Sequence, residues 1–384
     1  MNISVNIVSL ILVLGAVQGE FFALLLSGHR QGNRLANKVL AFHILLFSLN
    51  IFVPEAVHLF PEELPHLMAA AFPLMFLFGP SLYFYALLLT KRETGFRRVH
   101  LFHLIPFLCS LAYMIPFYVQ PAAVKLELMT RIAQGALPLD WAVGWGAECV
   151  HVLAYLLVTY RLLRHHDKAV KENYSSIAVL NLQWLRYLVL GNTVVWGWYV
   201  AMFVYAILVP VYDMYGPAYY VFGYASSFFV YAMGYKAWKQ PEIFAGEAEI
   251  PAEKDPANKY ERSGLQADKA GLYLQTLGQY METEAPYKNP EITLRDLAER
   301  LEIPPNHLSQ VINEKLGQNF FDFINSYRVA AAKQWLRNPD KQQYTILEIA
   351  YEVGFNSKST FNAAFKKHVQ MTPTAYRQQE LALS

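Results

Sequence analysis

The chain has 384 residues, of which 54% are hydrophobic and only 16% are charged. About a quarter of the residues are charged in typical soluble domains, so this composition excludes a chain built only of such domains. The net charge of +2 decides little about partners. The apolar excess lies before Tyr235, and the sequence after that residue has the composition of an ordinary soluble protein. Cys109 and Cys149 both lie in apolar segments, which favours packing roles over a disulfide or a metal site.

Seven apolar segments in the N-terminal part approach the ~20 residues that a helix needs to span a bilayer. They are Ile3–Leu26, Val39–Leu59, Leu67–Leu89, Leu101–Tyr118, Trp141–Leu163, Leu185–Val209 and Tyr219–Tyr235. The sequence therefore predicts an all-α fold in which residues 1–239 form a seven-helix transmembrane sensor domain.

The links between these segments alternate in charge. Basic residues follow the first, third, fifth and seventh segments, whereas the other links hold few of them. The basic links of membrane proteins face the cytoplasm. The pattern predicts that the N-terminus lies outside and that the chain after Tyr235 is cytoplasmic.

Four ionisable residues at membrane depth are candidates for sensing a signal: Glu20, His43, Glu148 and His151. An ionisable group at the centre of a spanning helix costs about 2.5–3.5 kcal/mol, so each is expected to face the bundle interior or a cavity. Glu148 and His151 are three residues apart and share a helix face. Two interpretations stay open: a ligand or proton site, or hydrogen bonds between helices that only fix the bundle.

No catalytic constellation stands out along the chain. The sequence contains no HExxH, GxSxG, P-loop or kinase signature, and its Glu and His residues lack the spacing of helical metal ligands. We therefore predict a protein that is not an enzyme and that has neither a cofactor nor a metal site.

Residues 240–262 are rich in Pro, Glu, Ala and Lys without periodicity, which predicts a flexible cytoplasmic linker. A connecting helix is expected over residues 263–284. Its apolar stripe consists of Leu265, Leu272, Leu277, Tyr280 and Met281. This helix can pack on the following domain or pair with a second copy in a homodimer, and the lack of sustained heptads favours packing.

A helix-turn-helix pattern begins at Thr293, which can cap a helix together with Asp296. The turn follows at Ile303-Pro304-Pro305, and a second helix is expected over residues 306–314. The residues expected to face outward from this second helix are Asn306, His307, Ser309 and Gln310. A longer helix, Phe320–Leu336, leads to a second copy of the pattern.

The second copy begins at Thr345, where Glu348 can complete a capping box. Gly354 stands where the first helix must stop, because glycine adopts the left-handed conformation readily. A second helix starts near Ser357 and buries two phenylalanines on one side. Its other side carries Lys358, Ser359, Asn362 and Lys366. A short polar helix face that is braced from behind fits the major groove of DNA.

This second copy resembles the second helix-turn-helix of the AraC/XylS family of bacterial transcription regulators. The matching residues are Ile349-Ala350, Val353-Gly354-Phe355, Ser357, Phe361, Phe365-Lys366-Lys367, Thr372-Pro373 and Tyr376-Arg377. One departure is visible, because the family usually has glycine near Val369-Gln370. The runs FPLMFLFGPSLYFYALLLT and NHLSQVINEKLGQNFFDFINSYRV resemble the membrane-embedded subgroup of this family.

The resemblance implies an AraC-type DNA-binding domain over residues 285–384. It implies that Asn306, Ser309, Gln310, Lys358, Ser359 and Asn362 read bases. Lys366 and Lys367 are expected at phosphates, with Arg328, Lys333 and Arg377 as additional phosphate contacts. The implied partners are double-stranded promoter DNA, RNA polymerase, the lipid bilayer and an unknown small-molecule or envelope signal. The implied location is the bacterial inner membrane, with the C-terminal domain in the cytoplasm.

The sequence thus predicts a membrane-anchored, sequence-specific transcriptional regulator whose transmembrane bundle senses a signal. The alternative is a membrane transporter or receptor with a helical cytoplasmic tail that binds a protein partner.

Overall fold

The structure is a computed structural model that describes residues 7–29, 33–90, 95–133, 137–176, 182–209, 216–239 and 265–383. The regular structure of these residues is helical and contains no strand, as the all-α prediction requires. The chain divides into two compact units. The first holds Met1–Arg164 and Leu182–Gly246, and the second holds His165–Asn181 and Glu247–Ser384. The predicted linker, 240–262, lies outside the described residues.

Eight α-helices are described between Ile7 and Lys239. They are α1 (Ile7–Gly28), α2 (Arg34–Leu59), α3 (Met75–Thr90), α4 (Ile105–Tyr118), α5 (Ala122–Ala133), α6 (Leu139–Asn173), α7 (Gln183–Leu208) and α8 (Pro217–Lys239). Short 3₁₀ turns cover Pro65–Leu67 and Arg98–Leu104.

Five helical stretches in the described part of the chain are long and apolar enough to cross a membrane. They are Ser9–Gly28, Arg34–Leu59, Arg98–Tyr118, Leu139–Asn173 and Gln183–Leu208. The apolar helix α3 is shorter. The predicted number of seven spans is therefore not confirmed.

Helix α5 lies in a link for which the sequence predicted no helix. Lys125 anchors it, since this lysine is fully buried and donates from Nζ to the backbone oxygen of Tyr118 at 2.8 Å. An ion pair of 2.7 Å between Arg131 and Glu127, one turn apart, adds support on the exposed side. Helix α5 has only 12 residues and mixes apolar with charged side chains, so it did not stand out as a membrane-spanning segment.

Aromatic side chains fill the centre of the first unit. The ring of Phe78 meets those of Phe47 and Trp196 edge-on, with 4.7 Å between centroids in both pairs. The outside of this unit is apolar too. Large side chains that expose between 70% and 73% of their surface occur on several helices: Ile7, Leu24, Val150, Leu208 and Phe228. Soluble proteins rarely expose so many large apolar side chains together.

The described part of the second unit has seven further α-helices after residue 265. They are α9 (Ala267–Thr283), α10 (Leu294–Arg300), α11 (Pro305–Gln310), α12 (Phe320–Arg337), α13 (Ile346–Glu352), α14 (Lys358–Val369) and α15 (Pro373–Leu383). A π-helical turn, Val311–Lys315, continues α11.

Two apolar clusters stabilise this unit, and α12 contributes to both. The first cluster joins α9, α10 and α11 to the beginning of α12, and the second joins α13, α14 and α15 to its end. Helix α9 packs on the first cluster through Leu277 and Met281, which is the alternative that the sequence favoured. Leu272 is 60% exposed, because it lies five residues before Leu277 and so falls on a different face.

Candidate functional site

The first helix-turn-helix consists of α10, a turn and α11. A complete capping box starts α10: Asp296 N donates to Thr293 Oγ1 at 3.1 Å, and Thr293 N donates to Asp296 Oδ2 at 3.0 Å. The turn begins at Glu302, which is left-handed with φ of 55°. The next amide, that of Ile303, donates to the oxygen of Ala298 at 3.0 Å and closes the end of α10.

The second helix-turn-helix repeats this construction in α13 and α14. Thr345 and Glu348 form the predicted capping box, and Gly354 takes the left-handed position with φ of 96°. The amide of Phe355 donates to the oxygen of Ala350 at 2.9 Å. Ser357 then caps α14 by accepting from Thr360 N at 3.2 Å. The two motifs thus share a capping box and a left-handed turn, with Glu302 in the place of Gly354.

The predicted polar face of α14 is present. Lys358, Ser359 and Lys366 are exposed, and Asn362 is half-buried beside them. Behind this face, Phe361 and Phe365 are fully buried. At the end of α14, Lys367 Nζ donates to Asp322 Oδ1 on α12 at 2.7 Å. Lys367 therefore connects α14 to α12 by an ion pair. A DNA phosphate that binds the Lys367 ammonium would have to compete with Asp322.

The predicted face of α11 is only partly exposed. Asn306 is exposed, and the half-buried Gln310 donates from Nε2 to Glu314 Oε2 at 3.0 Å. The half-buried ring of His307 stacks on Tyr273 of α9, with 6.1 Å between centroids.

The expectation that Ser309 faces outward is wrong. This residue is 5% exposed, and Asn313 Nδ2 donates to its backbone oxygen at 2.9 Å and to its Oγ at 3.3 Å. Ser309 lies three residues before Ile312 and therefore shares the buried face of the helix.

Arg328 is not placed to bind phosphate, contrary to the expectation from sequence. It is 1% exposed. Its Nε donates to the backbone oxygen of Tyr287 at 2.8 Å, and one terminal nitrogen donates to that of Asn289 at 2.9 Å. Burial lowers the pKa of this guanidinium to about 10. Arg328 therefore stabilises the loop before α10 from within the domain.

In the first unit, His43 joins three helices. Its Nδ1 lies 2.8 Å from Ser81 Oγ on α3, and its Nε2 lies 3.2 Å from Asn192 Oδ1 on α7. The His43 side chain is 1% exposed. Both ring nitrogens of this candidate sensing residue are thus bound within the bundle.

The predicted pair of Glu148 and His151 has separate surroundings. Glu148 is buried and accepts a hydrogen bond of 2.7 Å from the Tyr199 hydroxyl of α7. The ring of His151 packs against Phe76 and Tyr155, with centroid distances of 5.2 and 4.8 Å. Among the described residues, neither ring nitrogen of His151 has a hydrogen-bond partner. Glu20 is half-buried on α1.

A cavity of about 230 Å³ lies inside the first unit. Most of its lining is apolar or aromatic, and its polar side chains include Asn50, Tyr199 and Tyr219. The hydroxyl of Tyr219 donates to Glu55 Oε2 at 3.1 Å, and Glu55 is fully buried. The sequence did not place Glu55 among the candidate sensing residues. Its pairing with a tyrosine 164 residues away leaves no signal in the local sequence.

Each comparison with known proteins covers less than a third of the chain. Residues 297–379 match the family model described as a helix-turn-helix domain. YtdP, an HTH-type transcriptional regulator of Bacillus subtilis (strain 168), is 34% identical over 93 residues, which are 24% of this chain and 12% of YtdP. The transcriptional regulatory protein HptR of Staphylococcus aureus (strain NCTC 8325 / PS 47) is 29% identical over 89 residues, which are 23% of this chain and 34% of HptR.

Two solved structures are each similar to part of this chain. The C-terminal domain of AraT, a response regulator from Geobacillus stearothermophilus, is 26% identical, with a TM-score of 0.25; the match covers 30% of this chain and 88% of that domain. The C-terminal domain of the two-component response regulator yesN from Fusobacterium nucleatum is 29% identical, with a TM-score of 0.24. This match covers 29% of this chain and 99% of that domain.

The residues that match the family model include both motifs, apart from the cap and the first three residues of α10. The C-terminal part of the chain is therefore an AraC-type helix-turn-helix domain, the kind of domain with which transcriptional regulators bind DNA.

Proposed function

We propose that this chain is a membrane-anchored, sequence-specific transcriptional regulator that binds promoter DNA with its C-terminal domain and senses a signal with its N-terminal bundle. The observation that carries the proposal is that one chain holds an AraC-type helix-turn-helix domain together with helices long and apolar enough to cross a membrane, five of them among the residues that the structure describes.

Anchoring in the bacterial inner membrane is supported by the outside of the first unit. Its large exposed apolar side chains require an apolar surrounding. The alternation of basic and non-basic links then directs the C-terminus to the cytoplasm, where DNA and RNA polymerase are available.

DNA recognition is assigned to the outward residues of α11 and α14. Amide and ammonium groups on a helix can bind the edges of bases in the major groove, which suits Asn306, Gln310, Lys358 and Asn362. Ser359 and Lys366 lie on the same exposed side of α14. Helix α12 between the motifs has 18 residues and so is about 27 Å long. This length suits two reading helices near successive major grooves, which are about 34 Å apart.

The signal is proposed to be an uncharged, largely apolar molecule that enters the bundle cavity. An apolar lining favours such a ligand, and a charged one would lose its hydration without a partner of opposite charge in the lining. Tyr199 and Tyr219 line the cavity and donate to the buried Glu148 and Glu55. A ligand that accepts a hydrogen bond from either hydroxyl would compete with these glutamates and so would change the hydrogen bonds between helices.

Replacing these tyrosines tests the assignment of the cavity. Tyr199→Phe and Tyr219→Phe should each change the output of a reporter under a promoter that the protein controls. The matched control is Tyr205→Phe on α7, because Tyr205 is 50% exposed. Equal output from all three variants and the parent would contradict a sensing role for the cavity.

Crosslinking of DNA to the full-length protein in cells tests the DNA-binding function. The parent should give discrete sites that are lost in the double variant Lys358→Ala, Asn362→Ala. The control double variant Lys269→Ala, Gln275→Ala changes exposed residues of α9 and should keep every site. The proposal fails if the parent gives no site, and the assignment of α14 fails if the first double variant keeps the same sites.

A further inference from the structure

The C-terminal end of α6 and the segment that follows it belong to the second unit. Although it lies in the N-terminal half of the chain, His165–Asn181 groups with Glu247–Ser384. Within it, Tyr174 and Ser176 are half-buried and Ser175 is 1% exposed. Tyr174–Ser176 is called the strap below. A hydrophilic loop that only linked two helices would leave a serine in water, so the burial of Ser175 indicates a specific contact.

The strap first contacts the beginning of the first helix-turn-helix. Tyr174 and Thr293 face one another as an isolated antiparallel bridge. Ser175 N donates to the backbone oxygen of Ile292, and Ser175 Oγ donates to that of Pro290, both at 3.3 Å. Thr293 is the residue that caps α10, so the strap binds directly at the start of the first motif.

The strap also completes the surroundings of Arg328 on α12. The two terminal nitrogens of this guanidinium donate to the backbone oxygen and to the Oγ of Ser175, each at 3.3 Å. Tyr287 and Asn289 supply the other backbone oxygens. In the part of the chain that the structure describes, no carboxylate forms an ion pair with Arg328. A buried charge without a counterion depends on every acceptor around it, so removal of the strap would leave donors of Arg328 unsatisfied.

The strap reaches the second helix-turn-helix as well. Asn356 Nδ2 donates to Ser176 Oγ at 2.5 Å. Asn356 lies in the turn directly before Ser357, the cap of the reading helix α14. Three adjacent residues of the strap therefore bind the start of the first motif, the helix between the motifs, and the turn of the second motif.

We propose that the strap is a docking segment that holds the two helix-turn-helix motifs in one arrangement, and that its engagement raises the affinity of the domain for DNA. Two motifs that must fit successive grooves bind more tightly when their arrangement is fixed beforehand. The strap directly follows α6, the helix that carries Glu148, so the covalent chain connects it with the proposed sensing bundle. A signal would then act by docking or releasing the strap. This regulatory role rests on the proposed function, because it requires that the domain bind DNA.

The test uses full-length protein in membrane vesicles and DNA fragments recovered by the crosslinking described above. Ser175→Trp cannot be accommodated at a buried serine and should displace the strap, which lowers the retention of DNA at least tenfold. Lys171→Trp places the same side chain at an exposed position of α6 and should bind DNA like the parent. Ser176→Ala removes only a hydroxyl, leaves folding intact and should lower the affinity two- to fivefold.

A disulfide that holds the strap in its docked position tests the proposal from the other direction. Residues that face one another in an antiparallel pair have Cα atoms about 4.5–5.5 Å apart, which suits a disulfide. Tyr174→Cys with Thr293→Cys, in a background of Cys109→Ala and Cys149→Ala, should form an intramolecular disulfide. Oxidation should then leave DNA binding as tight as in the reduced protein or make it tighter. Each single-cysteine variant controls for effects of the oxidant and of the substitution.

The possible outcomes distinguish a failure of the strap proposal from a failure of the proposed function. If Ser175→Trp and Ser176→Ala bind DNA like the parent, or if the locked protein loses binding, the regulatory role of the strap is wrong. A disulfide that fails to form would contradict the docked arrangement itself. If the parent protein retains no DNA fragment under any condition, the proposed function fails, and the strap proposal fails with it.

Discussion

Gly354 approaches the backbone of Tyr287 so closely that a Cβ atom on Gly354 would lie 2.3 Å from the Tyr287 oxygen. The same oxygen accepts the hydrogen bond from Arg328 Nε. The turn of the second motif and the loop before the first motif therefore meet at one carbonyl group. This contact requires a residue that has no side chain and that tolerates a positive φ.

Gly354→Ala should destabilise the C-terminal domain by about 3 kcal/mol. The alanine would have to adopt a positive φ, and its Cβ would clash with the backbone of Tyr287 and Lys288. Amide hydrogen exchange of α13 and α14 in the full-length protein measures this loss. Gly271→Ala is the matched control, because Gly271 is in α9 and a Cβ there meets nothing within 4 Å. That change should stabilise α9 by about 1 kcal/mol. Equal exchange in both variants would contradict the close approach.

Gln370→Gly should stabilise the end of α14 by about 1 kcal/mol. Gln370 is left-handed, with φ of 62°, at the point where the related family usually has glycine. Glycine adopts this conformation without the steric cost that other residues carry. Ala363→Gly, at an exposed position within the same helix, should have the opposite sign and a similar size. Thermal unfolding of the two variants beside the parent would compare these shifts, and a lower stability for Gln370→Gly would refute the prediction.

The first turn of α13 should be sensitive to acid. The backbone N–H of Thr345 donates to Glu348 Oε2 at 2.6 Å and lowers the pKa of this carboxyl below its ordinary value of 4.5. A carboxyl with a lowered pKa stabilises the fold above its unfolded pKa and loses that contribution as the pH falls through its folded pKa. Hydrogen-exchange protection of α13 should therefore be constant above pH 4.5 and decline below it.

Glu348→Gln provides the control for the acid effect. Glutamine keeps an oxygen for the capping box but cannot titrate. The variant should lose the part of the pH dependence that is local to α13. An unchanged acid profile would mean that another group causes the decline.

Two substitutions on α14 should affect DNA binding in different ways. Asn362→Ala should cost on the order of 1–3 kcal/mol and relax the preference for bases at one position, if Asn362 contacts base edges as proposed. Lys366→Ala should weaken binding to all sequences equally and lower the salt slope by about 1, as expected for a phosphate contact. Titrations with matched and mismatched operators over a range of salt concentrations separate the two effects. The assignments would be wrong if Asn362→Ala kept its full site preference.

The local sequence predicted the elements that are determined locally. The capping boxes at Thr293 and Thr345 and the glycine turn at Gly354 each depend on residues within one or two helical turns. Partners that are distant in sequence were not predictable. Arg328 was expected at phosphate, but its partners Tyr287 and Ser175 lie 41 and 153 residues away. Ser309 was expected outside because it is polar, whereas the phase of the helix places it beside Ile312.

The N-terminal half follows the same rule. Its apolar segments predicted helices, since long apolar runs have few other folded solutions. The hydrogen bonds from Tyr199 to Glu148 and from Tyr219 to Glu55 required the packing of different helices against one another. Burial of a glutamate beside a tyrosine leaves no mark in the sequence around either residue.

Flotation of full-length protein with DNA tests the central claim most directly. Lipid vesicles that contain the protein are mixed with recovered operator fragments and centrifuged upward through a density gradient. We predict that the protein and the operator float together with the lipid, and that the double variant Lys358→Ala, Asn362→Ala floats without DNA. Protein that stays at the bottom of the gradient, or that floats without any operator, would contradict a membrane-anchored regulator that binds DNA in place.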